Sequence, residues 1–209
     1  MQLTNYYWYF QSAIPERICD DISKYGKQLQ EQMAVTGGYG NKKLNQKQIK
    51  DLKKKRDSNI VWMNDRWIYK EIQPYVHQAN QNAGWNFQWD FSESCQFTKY
   101  EKGQFYDWHC DGWDKPYIRE DTNAPDHGKI RKLSVTVTLS DPKDYKGGEL
   151  EFDFRNLDPD KKRNVKKCKE ILPKGSLVVF PGFVWHRVCP VKSGSRHSLV
   201  IWNLGWPFK

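Results

Sequence analysis

The stretch KLSVTVTLS (residues 132–140) alternates apolar side chains with serine and threonine. Alternation with a period of two is the pattern of a β-strand that turns one face to a hydrophobic core. Four more strand-like segments lie around it: WNFQWDFSESCQFTKY (85–100), GELEFDF (148–154), SLVVF (176–180) and HSLVIWNL (197–204). Gly- and Pro-containing turns separate the later segments. Strands of this spacing predict an antiparallel sandwich or jelly roll, and the lack of strand–helix alternation argues against a parallel, doubly wound sheet.

The N-terminal part of the chain has a different period. In IPERICDDISKYGKQLQ (14–30) and WIYKEIQPYVHQANQNA (67–83) the apolar residues recur at three and four positions, as on one face of a helix. Pro74 is expected to kink the second helix or divide it in two. We therefore expect one domain over all 209 residues, with a mainly helical support (12–83) and a β-rich core (85–209).

The composition sets limits on the class of protein. Aromatic residues make up 15% of the chain, which excludes a disordered protein. No run of eighteen apolar residues and no signal-peptide pattern occurs, so we expect no membrane span and a cytoplasmic location. The five cysteines are scattered without a CxxC pair, which favours reduced thiols and excludes a zinc ribbon.

The net charge of +9 is concentrated in two lysine-rich segments, residues 42–56 and 160–169. One interpretation is that both are solvated and mobile. The other is a basic patch for nucleic acid or another acidic partner, but lysine runs without interleaved aromatic residues do not form a stacking surface. The glycines of TGGYGN (36–41) predict a loop before the first of these segments.

A candidate metal site begins in YDWHCDG (106–112). If this segment is a strand, Asp107, His109 and Asp111 lie on one face, so that His109 and Asp111 can hold one ion. The other face then takes Tyr106, Trp108 and Cys110. The spacing alone is equally compatible with a histidine that is satisfied by a carbonyl in a turn.

The C-terminal segments supply two more candidate residues. His186 follows an apolar strand and a Pro-Gly turn, and Arg196 opens the last strand, where it shares a face with Ser198, Val200 and Trp202. A buried arginine is costly unless it meets a carboxylate, which it can bind through two parallel hydrogen bonds. Two histidines and one aspartate form the triad that leaves open positions on Fe(II), so an arginine nearby suggests 2-oxoglutarate as the chelating co-substrate.

Three blocks of sequence resemble a known family. They are KYEKGQFYDWHCD (99–111), RKLSVTVTLSDPKDYKGGELEF (131–152) and KGSLVVFPGFVWHRVCPVKSGSRHSLVIW (174–202). Together they resemble the Fe(II)/2-oxoglutarate dioxygenases of the prolyl 4-hydroxylase-like group, and are most similar to bacterial and phage PKHD-type hydroxylases. The resemblance implies a mainly β fold with α-helices, namely a double-stranded β-helix (jelly roll, cupin-like) with N-terminal supporting helices.

The resemblance also implies roles for individual residues. It implies that iron is bound by His109, Asp111 and His186. It implies that Arg196 binds the distal carboxylate of 2-oxoglutarate, that Tyr100, Thr138 and Ser198 contact this co-substrate, and that the substrate pocket contains Trp202, Tyr106 and Asp107. Prolyl 4-hydroxylases proper often use lysine at the position of Arg196, and Thr138 is shorter than the tyrosine of some relatives.

The function implied is hydroxylation of a protein or peptide side chain, with proline the expected target and succinate and CO2 as co-products. Fe(II), 2-oxoglutarate and O2 are the expected cofactors and co-substrates, with ascorbate as a reductant. The N-terminal half resembles phage-type members, which suggests a phage-encoded protein that acts in the host cytoplasm. A nucleic-acid oxygenase or demethylase and a non-catalytic metal-binding jelly roll are the alternatives, and the oligomeric state is left open.

Overall fold

The computed structural model describes residues 3–35, 44–112, 115–155 and 160–208. The glycine-rich segment for which the sequence predicts a loop (36–41) lies outside these ranges. The helices are α1 (Glu16–Gln28), α2 (Gln46–Lys53) and α3 (Arg66–Asn82), with a 3-10 turn at Lys169–Ile171. None of the described helices is long and apolar enough to cross a membrane.

The rest of the described fold is built from β-strands. In chain order they are β1 (Trp8–Phe10), β2 (Gln32–Met33), β3 (Arg56–Asp57), β4 (Asn59–Met63), β5 (Phe91–Ser92), β6 (Cys95–Tyr100), β7 (Phe105–His109), β8 (Ile130–Thr138), β9 (Tyr145–Gly147), β10 (Leu150–Asp153), β11 (Val165–Lys167), β12 (Leu177–Pro181), β13 (Trp185–Val188), β14 (Val191–Gly194) and β15 (Arg196–Gly205).

These strands form two main antiparallel sheets. The large sheet has the order β1-β12-β8-β15-β6-β4-β2, and β5 pairs with the far end of β15. The small sheet has the order β11-β10-β13-β7-β3, and β9 pairs separately with β14. The sequence-based prediction is confirmed: the protein is mainly β with α, and its core is a jelly roll.

Alternation along the strands of the large sheet creates two hydrophobic cores. On β12, Leu177 and Val179 face the helices, whereas Val178 and Phe180 face the small sheet. The core on the helix side also contains Ile18, Ile22, Ile68, Ile72, Val76, Leu199 and Ile201. The large sheet is therefore covered on both faces, with helices on one side and the small sheet on the other.

The N-terminal part departs from the expected helical support over residues 12–83. β4 (Asn59–Met63) pairs with β6 and extends the large sheet. Pro74 lies within α3, which is one continuous helix. Because Pro74 is on the exposed side of the helix, water can satisfy the carbonyl that loses its partner there. A five-residue strand paired with a segment more than thirty residues away has no strong signature in a single sequence.

The two lysine-rich segments contain regular structure. Within 42–56 the chain forms α2, whose N-terminus carries a capping box between Asn45 and Gln48. Within 160–169 it forms β11, at the edge of the small sheet, where Lys167 pairs with Glu149 at 2.9 Å. Both segments therefore contain regular structure where they are described, and most of their lysines are exposed.

Candidate metal centre and adjoining cavity

Three side chains converge between the two sheets. His109 ends β7, His186 lies directly opposite on β13, and Asp111 follows two residues after β7. Nε2 of His109 lies 3.8 Å from Oδ1 of Asp111, and Nε2 of His186 lies 3.5 Å from Oδ2. One ligand atom from each residue falls within 4.8 Å of the others, close enough to surround a single ion. The described residues contain one such cluster.

Backbone carbonyls orient both imidazole rings. Nδ1 of His109 lies 2.7 Å from the carbonyl oxygen of Asp107, and Nδ1 of His186 lies 2.9 Å from that of Val184. In each ring Nδ1 therefore carries the proton and donates it, which leaves the lone pair of Nε2 free for a metal. Burial and the neighbouring His186 lower the pKa of His109 well below its ordinary value, against a smaller opposing effect of Asp111. A neutral imidazole is the form that binds metal.

A glycine in the Pro-Gly turn positions Asp111. The N–H groups of Asp111 and Gly112 both donate to the carbonyl oxygen of Gly182, at 2.8 and 2.7 Å. A Cβ atom on Gly182 would lie 2.8 Å from the carbonyl oxygen of Arg131, closer than real Cβ contacts allow. Burial alone would raise the pKa of Asp111, but His186 and His109 outweigh it and the pKa is lowered. The carboxylate is therefore ionised.

A β-bulge changes which residues of β7 face the metal cluster. Regular pairing from His186–His109 would put Val188 opposite Asp107, but Val188 pairs with Tyr106. Tyr106 consequently shares the face of His109, and its ring centroid lies 3.5 Å from that of the histidine. The strict alternation that turned Tyr106 away from the metal is wrong at this point. Tyr106 lines the space around the metal cluster.

Asp107 and Cys110 lie beside the cluster without belonging to it. The side chain of Asp107 lies at the mouth of the site, while its carbonyl holds His109. Cys110 is buried, and burial raises the pKa of its thiol to about 11, so the thiol stays protonated. All five cysteines are free thiols, as the sequence indicates.

Arg196 lies in a small inner cavity next to the metal cluster. Its side chain is 2% exposed, Nη1 donates to Oγ of Ser198 at 3.3 Å, and the guanidinium lies 5.6 Å from the ring centroid of Tyr100. Among the described residues, no carboxylate lies within ion-pair distance of Arg196. The regular register of β15 against β6 and β8 places Arg196, Ser198 and Trp202 on this face. The cavity therefore contains a buried cation that lacks an anion.

Thr138 is the exception among the expected co-substrate contacts. Its hydroxyl donates to the carbonyl oxygen of Ile171 at 2.7 Å, and Thr138 does not line the cavity. Thr136, two residues earlier on β8 and therefore on the same face, lines the cavity instead. The placement of Thr138 at the co-substrate is thus corrected: its position on the face is as expected, but its hydroxyl is engaged elsewhere.

Two residues of the cavity had no signal in the sequence analysis. Arg56, on β3, is 5% exposed and stacks over Tyr106, with its guanidinium carbon 4.4 Å from the ring centroid. Gln96, on β6, donates from Nε2 to Oγ1 of Thr98 at 2.8 Å. Arg56 ends a lysine-rich run that reads as solvated, and only the pairing of β3 with β7 brings it to the cavity.

An outer cleft of about 590 Å³ leads from the surface to the same cluster. Six residues line both the cleft and the inner cavity: Arg56, Gln96, Tyr106, His109, Asp111 and Trp202. Three further tryptophans line only the cleft: Trp62, Trp108 and Trp185. The metal cluster therefore lies between the inner cavity, which contains Arg196, and the outer cleft, which is lined by tryptophans.

Residues 95–203 match the family model of the 2OG-Fe(II) oxygenase superfamily. The chain belongs to this superfamily. A PKHD-type hydroxylase of Xanthomonas euvesicatoria is 36% identical over 108 residues, which cover 51% of this chain and 42% of the relative. The chain thus spans about two fifths of the length of the curated relatives it matches.

Solved structures share the fold over almost the whole chain. The viral collagen prolyl hydroxylase of Paramecium bursaria Chlorella virus-1 superposes with a TM-score of 0.62 at 21% identity, covering 97% of both chains. A prolyl-4-hydroxylase of Pseudomonas putida gives 0.61 at 19% identity, covering 96% of this chain and 92% of the other. At these identities the likeness concerns the fold, and it extends beyond the family match into the N-terminal part.

The donor set of the cluster fits the metal of this superfamily. The superfamily implies Fe(II), 2-oxoglutarate and O2. Two neutral imidazole nitrogens and one ionised carboxylate form the facial arrangement that non-haem Fe(II) takes, with open positions for other ligands. The buried, unpaired Arg196 lies where it can reach a dicarboxylate on such a metal.

Proposed function

We propose that the protein is an Fe(II)- and 2-oxoglutarate-dependent hydroxylase that acts on a protein or peptide side chain, with proline as its target and succinate and CO2 as co-products. The observation that carries this proposal is the unpaired, buried Arg196 in a cavity that also contains His109, Asp111 and His186. A metal cluster alone fits many functions. A metal cluster beside a cation in need of a carboxylate fits a dicarboxylate co-substrate.

The chain's own residues have distinct tasks in this proposal. His109, Asp111 and His186 hold the iron, which supplies the activation of O2 that couples oxidative decarboxylation of 2-oxoglutarate to hydroxylation. The carbonyls of Asp107 and Val184 accept from Nδ1 of the two histidines, which orients each ring with Nε2 towards the cluster. Each of these tasks follows from a hydrogen bond or an ion-pair distance within the described site.

Arg196 binds and orients the co-substrate. Its guanidinium donates hydrogen bonds to the distal carboxylate, with Ser198 and Tyr100 beside it in the cavity. Leaving a buried guanidinium without an anion is costly, so the co-substrate removes an unfavourable charge when it binds. Because Arg196 is buried, an ion pair formed there is screened less by water than a surface ion pair.

The aromatic outer cleft supports a peptide as prime substrate. Aromatic side chains commonly line the grooves that bind proline-rich peptides. Such peptides are already extended when free, so they lose little conformational entropy when they bind. Trp62 and Trp202 approach within 6.2 Å between ring centroids at this opening. The names of the two structural neighbours, a collagen prolyl hydroxylase and a prolyl-4-hydroxylase, are consistent with this substrate class.

A nucleic-acid substrate is the second candidate. Four tryptophans line the cleft beside Lys55 and Arg56, so aromatic and cationic side chains occur together in space although they are separate in sequence. Such a combination can stack bases and hold a phosphate backbone. The folded chain therefore removes the objection that lysine runs without aromatic residues make no stacking surface.

The test is succinate formation by protein loaded with Fe(II) and 2-oxoglutarate. We expect slow succinate formation without prime substrate, and stimulation by proline-containing peptides in a screen that also contains short oligonucleotides. Stimulation by oligonucleotides alone would favour the second candidate. Metal binding without any succinate would favour the non-catalytic jelly roll. We further propose that ascorbate sustains turnover, while the cytoplasmic location and the phage origin stay predictions.

A further inference from the structure

Two buried guanidinium groups line the inner cavity, and the proposed co-substrate accounts for only one. Arg56 and Arg196 are 5% and 2% exposed, and among the described residues neither has a carboxylate within ion-pair distance. A buried charge without a partner is strongly unfavourable, so each guanidinium is expected to meet an anion when the site is filled. 2-Oxoglutarate has two carboxylates, one for Arg196 and one that chelates the metal. Arg56 therefore needs an anion from another molecule.

The position of Arg56 indicates which molecule provides that anion. Arg196 lines only the inner cavity, whereas Arg56 lines both the inner cavity and the outer cleft. The outer cleft is the open route to the metal cluster, so a group bound to Arg56 would enter with the prime substrate. The guanidinium of Arg56 and the imidazole of His109 both stack on the ring of Tyr106. A substrate bound at Arg56 would therefore lie beside the metal.

Arg56 is also oriented for binding. Nε donates to Oγ of Ser58 at 2.9 Å, which fixes the plane of the guanidinium. Neither terminal nitrogen makes a hydrogen bond to a described residue. A fixed guanidinium with two free N–H edges is suited to a carboxylate, which accepts two parallel hydrogen bonds.

The other charged groups of the cleft do not replace this anion. Arg131 is already paired with Glu93 at 2.5 Å, and Asp111 belongs to the metal cluster. Lys55 and Asp107 are exposed at the rim. Arg56 is thus the buried, unpaired cation of the cleft among the described residues, and the cleft is complementary to an anionic group on its ligand.

We propose that Arg56 selects prime substrates that carry a carboxylate close to the hydroxylated residue. The carboxylate comes from an aspartate or glutamate side chain or from a free C-terminus, and both offer the same chemistry to the guanidinium. This inference rests on the proposed function, since it concerns the substrate of the same site. Arg56 is a specificity-determining residue in this proposal, and Arg196 keeps its separate task at the co-substrate.

The test compares matched peptides on the iron- and 2-oxoglutarate-loaded protein. A blocked proline-containing peptide is made with glutamate or glutamine next to proline, and with a free or an amidated C-terminus. The readouts are kcat/KM for stimulated succinate formation and the gain of one oxygen atom by the peptide. We expect the carboxylate peptides to exceed their amide counterparts by roughly 10- to 100-fold, the value of a charge-assisted hydrogen bond. The two arms separate a side-chain source from a C-terminal source.

Variants of Arg56 identify the residue responsible. Arg56→Gln should bring kcat/KM for the carboxylate peptides down to that of their amide counterparts, and the KM for 2-oxoglutarate is measured in the same variant. Arg56→Lys should retain part of the preference, since it keeps the charge but not the planar fork. Arg187→Gln is the matched control, because Arg187 is paired with Glu151 at 2.8 Å and does not line the cleft. Thermal unfolding of each variant checks that the fold is retained.

Each contrary result overturns the inference in an identifiable way. Equal rates on the glutamate and glutamine peptides, with neither C-terminal form preferred, would show that the cleft does not select a carboxylate. A raised KM for 2-oxoglutarate in Arg56→Gln would place Arg56 at the co-substrate. Stimulation by an oligonucleotide instead of any peptide would assign Arg56 to a phosphate. A wild-type protein that forms no succinate would instead overturn the proposed function itself.

Discussion

The two sheets that face each other across the cavity hold their parts of the site in different ways. On the large sheet, β15 presents Arg196, Ser198 and Trp202 through uninterrupted alternation, between β6 and β8. On the small sheet, His109 and His186 meet next to a bulge, and Asp111 lies beyond the end of β7. Arg196, the proposed co-substrate clamp, therefore depends on regular strand register, whereas the metal cluster depends on irregular local geometry.

This difference follows from how each sheet is buried. On one face of β15, Leu199 and Ile201 belong to the helix-side core, and on the other face Arg196, Ser198 and Trp202 line the cavity. A one-residue slip would exchange the two faces, so hydrophobic burial fixes the position of Arg196. The ligands of the small sheet are held instead by individual hydrogen bonds to backbone carbonyls. His109 and His186 donate from Nδ1 to the carbonyls of Asp107 and Val184, and the N–H of Asp111 donates to that of Gly182. The positions of the metal-binding residues should therefore be more sensitive than that of Arg196 to substitutions near the turns.

The largest effect is expected from the ligands on the small sheet. His109→Ala or Asp111→Ala should reduce iron-dependent succinate formation by more than about 100-fold, because even groups that only orient a metal ligand are worth about 10- to 100-fold. Metal affinity and succinate formation are the measurements. Cys110→Ala is the control and should retain metal binding. Full activity without the carboxylate of Asp111 would place the metal elsewhere.

The clamp on the large sheet should show the next largest effect. Arg196→Gln should weaken 2-oxoglutarate binding by roughly 10- to 100-fold, the value of a charge-assisted hydrogen bond, without loss of metal binding. Titration of 2-oxoglutarate into the metal-loaded protein measures this change. An unchanged affinity would show that another cation, such as Arg56, binds the distal carboxylate.

A change in the turn that positions Asp111 tests the irregular geometry directly. In Gly182→Ala the new Cβ would lie 2.8 Å from a backbone oxygen, so Asp111 must move. We expect about a tenfold loss of metal affinity, as for other groups that orient a ligand. Gly84→Ala is the matched control, since its Cβ has nothing within 4 Å although its φ of +74° is strained. Equal metal affinities in the two variants would contradict this account of the turn.

His197, on the face of β15 opposite Arg196, should affect the free energy of unfolding at acidic pH without affecting the site. Burial, with smaller contributions from Lys27 and Lys99, lowers the pKa of His197 to about 4. In the unfolded chain its pKa is about 6.5. As the pH falls from 6.5 towards 4, the unfolded state takes up the proton first, so stability is lost over this range, by roughly 2–3 kcal/mol at pH 4.5.

His197→Phe should therefore lose less stability than the wild type between about pH 7.5 and pH 4.5. Urea unfolding at the two values measures the difference, and 2-oxoglutarate affinity at neutral pH should stay the same. An identical acid dependence in the variant and the wild type would mean that the pKa of His197 is the same in the folded and the unfolded protein.

The smallest effect on the site is expected at Thr138. Thr138→Val should lower the free energy of unfolding by about 1–3 kcal/mol, because the buried carbonyl of Ile171 loses its donor. The affinity for 2-oxoglutarate should not change. Thr136→Val is the paired variant, since Thr136 lines the cavity. A weaker 2-oxoglutarate affinity in Thr138→Val alone would return Thr138 to the co-substrate.

Sequence-based prediction succeeded where strands are regular and buried. The alternation in 132–140 and 197–204 defined the central strands of the large sheet, and the spacing from His186 to Arg196 indicated the clamp. The same alternation failed at Tyr106, since a bulge adds one residue to β7. It also missed β4, whose five residues have no marked period of their own.

The sequence by itself predicted a sandwich or jelly roll and the candidate site residues His109, Asp111, His186 and Arg196, because hydrophobic period and residue chemistry are local properties of the chain. Only the tertiary structure decided which other residues line the inner cavity and the outer cleft around the metal cluster. Arg56 comes to the cavity through the pairing of β3 with β7, and Asp111 is positioned by Gly182, about seventy residues later in the chain. Such contacts depend on which segments meet after folding, and a single sequence carries no period or spacing that reports them.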